Sequence, residues 1–474
     1  MISAAAVMPV LMNAFSTIWE YPSQQCHNKT VHGEKYIIDF KKYNITTNTN
    51  FTFNGDKIVI FYETSFGLYP YFINYSMEHP VNGGIPQNCN LKAHLEKAKK
   101  DINRSIPDKN FSGYAIIDFE KWRPLFSEND WMQKRVFQNE SIRKYSGTPN
   151  GTNISEAAYH RFYREAESDF NKHAKRFFLQ TIKLGKRMRK NAKWGFYGFP
   201  YCNYDAGNGT YECQDKYKKW NDEMNFIFNA SQALFPSVYL GNNIKTQKPK
   251  QRFFYVQAVI QEAKRISKKH KNLPILAYTK FEYDQLKSIG DFYKMHDLCA
   301  AIAQPVYLGI DGLILWSSSN NMNERCEGIK KKVDRIVGPM ILDVTALFTN
   351  CSQKLCGGLA KCIRKDYKKH WCLKLEDTKW KFIYNESEYS CECNETITKD
   401  CIRIGSKPPK KNVSTDTKRP GLVVADEGSP LSSLLQIIPL GTAYEQFTES
   451  LINPFNIDDG VTSVMMRVNP RSVF

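Results

Sequence analysis

The sequence predicts an α/β fold, namely a distorted (β/α) TIM-like barrel followed by a small disulfide-rich module. Short apolar segments alternate with amphipathic segments of helical period, which is typical of a parallel α/β sheet. No glycine pattern of a dinucleotide or P-loop site follows any apolar segment, which favours a barrel over a nucleotide-binding fold. Cysteines crowd residues 351–401, which indicates a separate small module at the C-terminal side.

Each predicted element rests on a local pattern. Residues 57–62 are β-branched and aromatic, which is typical of a strand. Residues 91–102 place apolar side chains on one side of a helix, and residues 154–189 keep a helical period over a longer stretch. The full order of predicted elements is strand 57–62, helix 91–102, strand 114–117, helix 154–189, strands 194–200 and 234–240, helix 251–267, and strands 273–278 and 312–316.

The strand at residues 114–117 runs directly into two carboxylates, Asp118 and Glu120. Residues two apart on a strand point the same way, so both acids project together, and repulsion should keep one of them protonated near neutral pH. The C-terminal ends of parallel strands carry the catalytic groups of barrel enzymes. A strand that merely ends in solvated acids is the alternative, and this stretch alone leaves both interpretations open.

Aromatic residues end the other predicted strands. Each of them alone is more typical of core packing than of ligand binding. Together they predict an aromatic, hydroxyl-lined cleft around the two acids, which is the usual construction of a sugar-binding site. These residues are Tyr62, Tyr197, Tyr239, Tyr278 and Trp316.

The spacing of the two acids constrains the chemistry. Ordinary glycosidases place their two carboxyl groups on opposite sides of the scissile bond, about 5 Å or more apart. Acids two residues apart on one strand do not easily flank a sugar. The spacing therefore favours substrate-assisted hydrolysis, in which the sugar's own acetamido oxygen attacks the anomeric carbon. Glu120 would protonate the leaving oxygen, and Asp118 would orient the acetamido group.

The amino-acid composition indicates where the protein is located and which binding partners are compatible with it. The net charge of +18 fits either nucleic acid or an anionic polysaccharide. The chain has no homeodomain, zinc-finger or RNA-recognition signature, and its 13 cysteines and many Asn-x-Ser/Thr sequons predict a secreted glycoprotein. Residues 1–13 are apolar but lack the basic region and clear cleavage site of a signal peptide. We expect no membrane span, because no apolar run reaches transmembrane length.

Ordered motifs between residues 15 and 403 resemble the animal hyaluronidases, a family of endo-β-N-acetylhexosaminidases. The DFE and FPYC forms are most similar to those of arthropod venom members. The motifs are IFY at 60–62, YPY at 69–71, NGGIPQ at 82–87, AIIDFEKWRP at 115–124, TIKLG at 181–185, WGFYGFPYC at 194–202, FPSVY at 235–239 and DGLILW at 311–316.

The resemblance implies a catalytic barrel at residues 15–345 and an EGF-like disulfide module at 346–405, with an unmatched and flexible tail at 406–474. It also implies a secreted enzyme that hydrolyses β-1,4 N-acetylhexosaminide bonds in hyaluronan by the substrate-assisted, retaining route. Such an enzyme needs no cofactor and no metal, and we expect a monomer that binds no nucleic acid.

The resemblance also assigns roles to residues of the predicted cleft. Glu120 is expected to be the proton donor and Asp118 to position the acetamido group. The expected substrate-binding residues are Tyr62, Arg123, Tyr197, Tyr239 and Trp316.

The family disulfides would carry over to ten of the cysteines. Cys89, Cys299 and Cys372 are then left over, and a Cys89–Cys299 pair is conceivable. The expected pairs are Cys26–Cys326, Cys202–Cys213, Cys351–Cys362, Cys356–Cys391 and Cys393–Cys401.

The sequence departs from the family pattern at three positions. Glu20 stands in place of an asparagine, Val259 in place of an arginine, and Tyr201 in place of an aspartate. The first two are expected to change the charge of the cleft. They keep open two alternatives, a chondroitin hydrolase and a catalytically weakened glycan-binding extracellular protein. A nucleic-acid-binding protein has only the net charge in its favour.

Overall fold

The computed structural model describes residues 15–27, 30–31, 34–147, 155–372 and 385–393. The predicted tail at 406–474 lies outside the described residues. The strands in chain order are β1 Ser16–Glu20, β2 Thr30–Val31, β3 Glu34–Lys35, β4 Ile45–Thr47, β5 Ile58–Tyr62, β6 Tyr71–Phe72, β7 Pro80–Val81, β8 Tyr114–Asp118, β9 Lys193–Phe196, β10 Leu276–Thr279, β11 Gly312–Trp316, β12 Lys361–Arg364 and β13 Tyr389–Glu392.

Helices separate most of these strands. Two π-helical stretches, Cys299–Ala303 and Val333–Val337, join consecutive α-helices near the end of the barrel. The α-helices are α1 Gln24–His27, α2 Leu91–Ser105, α3 Arg135–Ser146, α4 Glu156–Met188, α5 Asp215–Glu223, α6 Asn225–Ala230, α7 Asn242–Lys245, α8 Pro249–Lys269, α9 Met295–Leu298, α10 Gln304–Tyr307, α11 Met322–Lys332 and α12 Gly338–Lys354.

The central strands form an incompletely closed parallel barrel. One sheet has the order β10-β11-β1-β4 and the other has the order β5-β8-β9, with every pair parallel. Residues 234–237 join the two sheets through single parallel bridges, from Phe235 to Tyr197 and from Ser237 to Tyr278. Because parallel strands share one direction, all of their C-terminal ends meet at the same rim.

A side chain closes the remaining seam, between β4 and β5. Asn48 directly follows β4, and its Oδ1 accepts the backbone N–H groups of Lys57 at 2.9 Å and Ile58 at 3.0 Å. Its Nδ2 donates to the Ile58 carbonyl at 3.0 Å. One asparagine thereby replaces part of the hydrogen-bonded ladder between these two strands.

Apolar side chains fill the barrel interior and the layer between the strands and the helices. Inside the barrel, Ile18, Ile60, Ile116 and Ile314 are buried beneath the aromatic residues of the rim. Outside it, the long helix α4 packs aromatic side chains, Phe177 and Phe178 among them, against the segment that carries the acids. Burial at about 25 cal/mol per Å² of apolar area makes this packing the main stabilising contribution.

Most predicted elements are present, and the differences have physical causes. The predicted strand at 234–240 is not a regular strand, because Pro236 has no N–H group and the segment makes only isolated bridges. β10 begins at Leu276 and not at residue 273, since Pro274 interrupts the ladder in the same way. Strands β1 and β4 were not predicted, because one mixes polar and apolar residues and the other has 3 residues.

The structure contains four of the expected disulfides, Cys26–Cys326, Cys202–Cys213, Cys351–Cys362 and Cys356–Cys391. Cys393 is disulfide-bonded, and its expected partner Cys401 lies outside the described residues. The conceivable Cys89–Cys299 pair is wrong. Cys299 pairs with Cys372, whose Cα lies 5.9 Å away, and Cys89 is the unpaired one among the described cysteines. These bonds fit an extracellular protein.

The disulfide-rich region packs against the barrel. Helix α12 runs without a break through residue 346, the predicted start of the module. The β12–β13 hairpin follows it, and ion pairs of 2.7 Å join Lys264 to Glu392 and Lys361 to Asp311. An EGF-like module within 346–405 stays a prediction. Within the ranges that the structure describes, no helix is both long and apolar enough to cross a bilayer.

Candidate active site

The two acids lie at the C-terminal rim, where the sequence placed them. Asp118 is the last residue of β8 and is 7% exposed, while Glu120 follows the strand and is half-buried. Burial raises the pKa of Asp118 well above its usual range, and the nearby Glu120, Glu63 and Glu20 raise it further. The anionic form of Asp118 is therefore disfavoured, and the two neighbouring carboxyl groups hold a shared proton more tightly than two free acids would.

A third acid, Glu63, holds the backbone that carries Glu120. Glu63 follows β5, and its Oε2 accepts the N–H groups of Glu120 at 2.5 Å and Lys121 at 3.0 Å. On the other side, Lys134 donates through Nζ to the carbonyls of Glu120 and Lys121. Side-chain hydrogen bonds thus hold the N–H and carbonyl groups of Glu120 and Lys121, and a fixed backbone limits where the Glu120 side chain can point.

The loop after the acids is equally constrained. The Trp122 indole donates to the Pro70 carbonyl at 2.8 Å and stacks on Tyr69 with ring centroids 5.1 Å apart. Asn129 accepts the N–H group of Arg123 at 2.8 Å and donates to its carbonyl at 2.9 Å. The loop is therefore held by specific hydrogen bonds on a buried tryptophan, which keeps both acids in place relative to the rim.

The aromatic strand ends form one wall beside the acids. Trp316 donates its indole N–H to the Tyr62 hydroxyl at 2.9 Å, and its ring stacks on Tyr239 at 6.0 Å. The Tyr197 hydroxyl donates to Ser237 Oγ at 3.2 Å, and its ring lies 6.1 Å from that of Tyr239. Tyr62, Tyr239 and Trp316 are half-buried, so part of each side chain stays accessible at the rim.

Two of the predicted residues have surroundings that the sequence did not suggest. Tyr278 is fully buried below the rim and packs edge-on against Tyr197 at 4.9 Å, so it supports the wall. The Arg123 guanidinium lies 4.3 Å from the ring centroid of Tyr201, the residue that departs from the family's aspartate. This cation–π contact fixes Arg123 at the side of the cleft.

The other two departures from the family pattern, Val259 and Glu20, lie in different environments. Val259 is 2% exposed in the hydrophobic core, in the middle of helix α8. Glu20 ends β1 beside Tyr278 and is fully buried. Among the described residues its carboxylate oxygens have no hydrogen-bond partner of ordinary geometry. Burial raises the pKa of Glu20 to about 8, so it is mostly uncharged at neutral pH and adds little charge to the cleft.

The buried Glu20 should make stability fall with rising pH. Between a normal value of 4.5 and the folded value of about 8, the folded chain keeps a proton that the unfolded chain releases, so stability falls as pH rises through this window. Glu20→Gln cannot ionise. Its free energy of unfolding should therefore rise relative to wild type by about 2–4 kcal/mol between pH 5 and pH 8.

Denaturant unfolding at pH 5, 6, 7 and 8 checks this expectation. Glu156→Gln is the matched control, because the Glu156 side chain, which faces His160 on the surface, is 90% exposed. The control should follow the wild-type pH dependence, and parallel curves for wild type and Glu20→Gln would contradict the account.

Sequence reasoning missed Glu63, Ser237 and Lys280. Glu63 follows Tyr62 directly, and its position after a strand was a usable signal. Lys280 likewise follows a strand, β10, and Ser237 gave no such signal; the contacts of both join segments that are far apart in the chain.

Comparison with known proteins gives consistent matches. A family profile described as hyaluronidase, of glycoside hydrolase family 56, matches residues 5–405. A chondroitin hydrolase of Caenorhabditis elegans is 36% identical over 353 residues, which is 74% of this chain and 74% of that protein. Hyaluronidase-1 of Sus scrofa is 35% identical over 369 residues, covering 75% and 80% respectively. Bee venom hyaluronidase in complex with a hyaluronic acid tetramer has a TM-score of 0.61 at 29% identity, covering 70% of this chain and 99% of that chain.

Proposed function

The chain belongs to the hyaluronidase family of glycoside hydrolases, and from that premise we propose that it hydrolyses the β-1,4 N-acetylhexosaminide bonds of hyaluronan by substrate-assisted catalysis. One observation carries the mechanism. Asp118 and Glu120 occupy one strand end, beside a wall of three half-buried aromatic residues. Two acids at one strand end do not easily take positions on opposite faces of a sugar ring.

Glu120 acts as the general acid in this proposal. It donates a proton to the glycosidic oxygen while the acetamido oxygen bonds to the anomeric carbon, and the bond to the leaving sugar breaks. Water then attacks the anomeric carbon of the cyclic intermediate and returns a proton to Glu120. Two displacements at one carbon retain the β configuration. The backbone contacts from Glu63 support this role, because proton transfer needs a donor held within hydrogen-bond reach.

Asp118 serves the acetamido group. The buried carboxylate accepts a hydrogen bond from the acetamido N–H. Its negative charge stabilises the positive charge that develops on the cyclic intermediate, which forms when the acetamido oxygen bonds to the anomeric carbon. Its raised pKa fits this task, since the neutral acid is tolerated at rest and the anion becomes favourable when a cation forms beside it. The proton that Asp118 gives up passes to Glu120, which then delivers it to the glycosidic oxygen.

The aromatic wall positions the sugar. Apolar faces of pyranose rings pack on Tyr239 and Trp316, and the hydroxyls of Tyr62 and Tyr197 are within the same wall. Arg123 adds a fixed positive charge at the side. The excess of Lys and Arg across the chain attracts a polymer with one carboxylate per disaccharide, and salt should weaken this attraction.

A chondroitin hydrolase is the second candidate, and the match to the C. elegans protein of that name favours it. Chondroitin and hyaluronan share the acetamido group and the hexuronate, so both suit the same chemistry. A reducing-end assay on the two polymers separates them. We expect turnover of hyaluronan at least as fast as that of chondroitin, and turnover of chondroitin alone would make the second candidate correct.

A catalytically weakened glycan-binding protein is less well supported. The acids, Tyr197, Tyr239 and Trp316 are together at the rim, Glu20 is mostly neutral at pH 7, and Val259 is in the core. Binding without release of reducing ends would favour that alternative. Secretion, a monomeric state and the EGF-like nature of residues 346–405 stay predictions.

A further inference from the structure

Lys280 lies in the aromatic wall and has no place in the mechanism above. It directly follows β10, so it belongs to the same rim as the acids. Its Nζ lies 4.2 Å from the ring centroid of Tyr239 and 4.6 Å from that of Trp316. The two rings that we assign to the sugar therefore also hold a cation between them, at a residue that is 9% exposed.

The charge of Lys280 is not compensated by an ion pair. Across the described residues, no carboxylate lies within 4.0 Å of its ammonium, although the surrounding wall is largely desolvated. The nearest acid in sequence, Glu282, is already bound to Arg325 at 3.0 and 2.6 Å and accepts from Ser317 at 3.0 Å. The ammonium therefore keeps donors available for a bound molecule.

The protonation state suits anion binding. Burial lowers the pKa of Lys280 to about 8, and Glu282, Asp284 and Glu120 act in the opposite direction. The ammonium is thus charged at pH 7 and below. A buried, charged group without a paired anion is costly, and a ligand carboxylate would relieve that cost on binding.

We propose that Lys280 is the anion subsite of the cleft and receives the carboxylate of the hexuronate next to the reacting N-acetylhexosamine. This inference rests on the proposed hydrolysis of a hexuronate-containing polymer. The position of Lys280 is the reason for this assignment. The reacting sugar lies on Tyr239 and Trp316, and Lys280 contacts both of these rings. The sugar next to the reacting one is therefore the nearest source of a carboxylate. A sulfate ester on the polymer has similar chemistry, and the experiment distinguishes the two.

The test compares Lys280→Met with wild type on hyaluronan and on carboxyl-reduced hyaluronan, whose glucuronate is converted to glucose. On hyaluronan the variant should raise KM about tenfold or more and change kcat less than about threefold. On the reduced polymer wild type should already show that higher KM, and the variant should add no further loss. Lys280→Arg keeps the charge and should restore most of the affinity.

Lys193→Met is the matched control. Lys193 begins β9 at the opposite end of the barrel and also lies over a ring, 5.3 Å from the Tyr114 centroid. The Lys193→Met substitution removes the same charge as Lys280→Met and should leave KM unchanged on both polymers. Affinities for hyaluronan oligosaccharides, measured in a Glu120→Gln background, should repeat the pattern without turnover.

Three results would overturn the inference. In the first, Lys280→Met lowers the affinity for carboxyl-reduced hyaluronan by the same factor as for hyaluronan, so that the substitution and the carboxyl reduction act independently. The loss could lie in kcat with a shifted acid limb of the pH profile, which would mean that Lys280 acts on Glu120. The loss could also persist on carboxyl-reduced chondroitin sulfate but vanish without sulfate, which would assign the site to the sulfate ester. If wild type cleaves neither polymer, the proposed function fails instead.

Discussion

Glu120→Gln should lower kcat on hyaluronan by about 10³-fold, within the range that general acid catalysis contributes. The amide has nearly the shape of the acid and can accept and donate hydrogen bonds, but it has no proton acidic enough to give to the glycosidic oxygen. KM should change little, because the aromatic wall and Lys280 remain. A reducing-end assay under saturating substrate measures this effect directly.

Two controls make the Glu120 result specific. Glu140→Gln alters a buried glutamate on helix α3, which is paired with Arg143 at 2.6 Å. It should keep full activity. The Glu120→Gln chain should also unfold at the wild-type temperature, since its backbone contacts to Glu63 and Lys134 do not involve the side chain. An active Glu120→Gln enzyme would falsify the assignment of the general acid.

Asp118→Asn should lower kcat by about 10²- to 10³-fold. The pH dependence of the remaining activity should then be set by the titration of Glu120. The amide oxygen can still accept the acetamido N–H, but it cannot supply the negative charge opposite the developing cation. The loss should therefore appear in kcat and not in KM. Single-turnover kinetics on hyaluronan oligosaccharides separate this chemical step from product release.

Stability gives an independent check on Asp118. Its pKa is raised in the folded chain, so the folded state holds a proton that the unfolded state releases, and the residue costs stability as pH rises. Asp118→Asn should therefore be at least as stable as wild type at pH 8 and closer to it at pH 4. An unstable and unfolded variant would show instead that the Asp118 carboxyl makes a hydrogen bond that the fold needs.

The position of the acids could be predicted from the sequence for a clear physical reason. An apolar run that meets two alternating carboxylates is a local pattern, and strand geometry converts that pattern into a shared direction. The same holds for the aromatic strand ends, because β5, β9 and β11 stop at or near Tyr62, Tyr197 and Trp316. Local signals of this kind suffice wherever a residue's role depends on its own strand.

Roles that depend on distant segments could not be predicted in this way. Lys280 acquires its surroundings from Tyr239 and Trp316, and the Cys299–Cys372 bond depends on how residues 73 apart come together. Glu20 looked like a charge added to the cleft, whereas its burial beside Tyr278 keeps it mostly neutral. Burial and long-range contact are properties of the folded chain, so pattern alone leaves them open.

Substrates with altered acetamido groups test the central claim most directly. Hyaluronan oligosaccharides carrying N-acetyl, N-fluoroacetyl, N-difluoroacetyl or N-trifluoroacetyl groups at the cleaved sugar differ in the nucleophilicity of one oxygen. If that oxygen attacks the anomeric carbon, kcat/KM of the wild-type enzyme should fall steadily along the series, by about 10³-fold in total. A rate that stays constant along the series would contradict substrate assistance and require a nucleophile from the protein or from water.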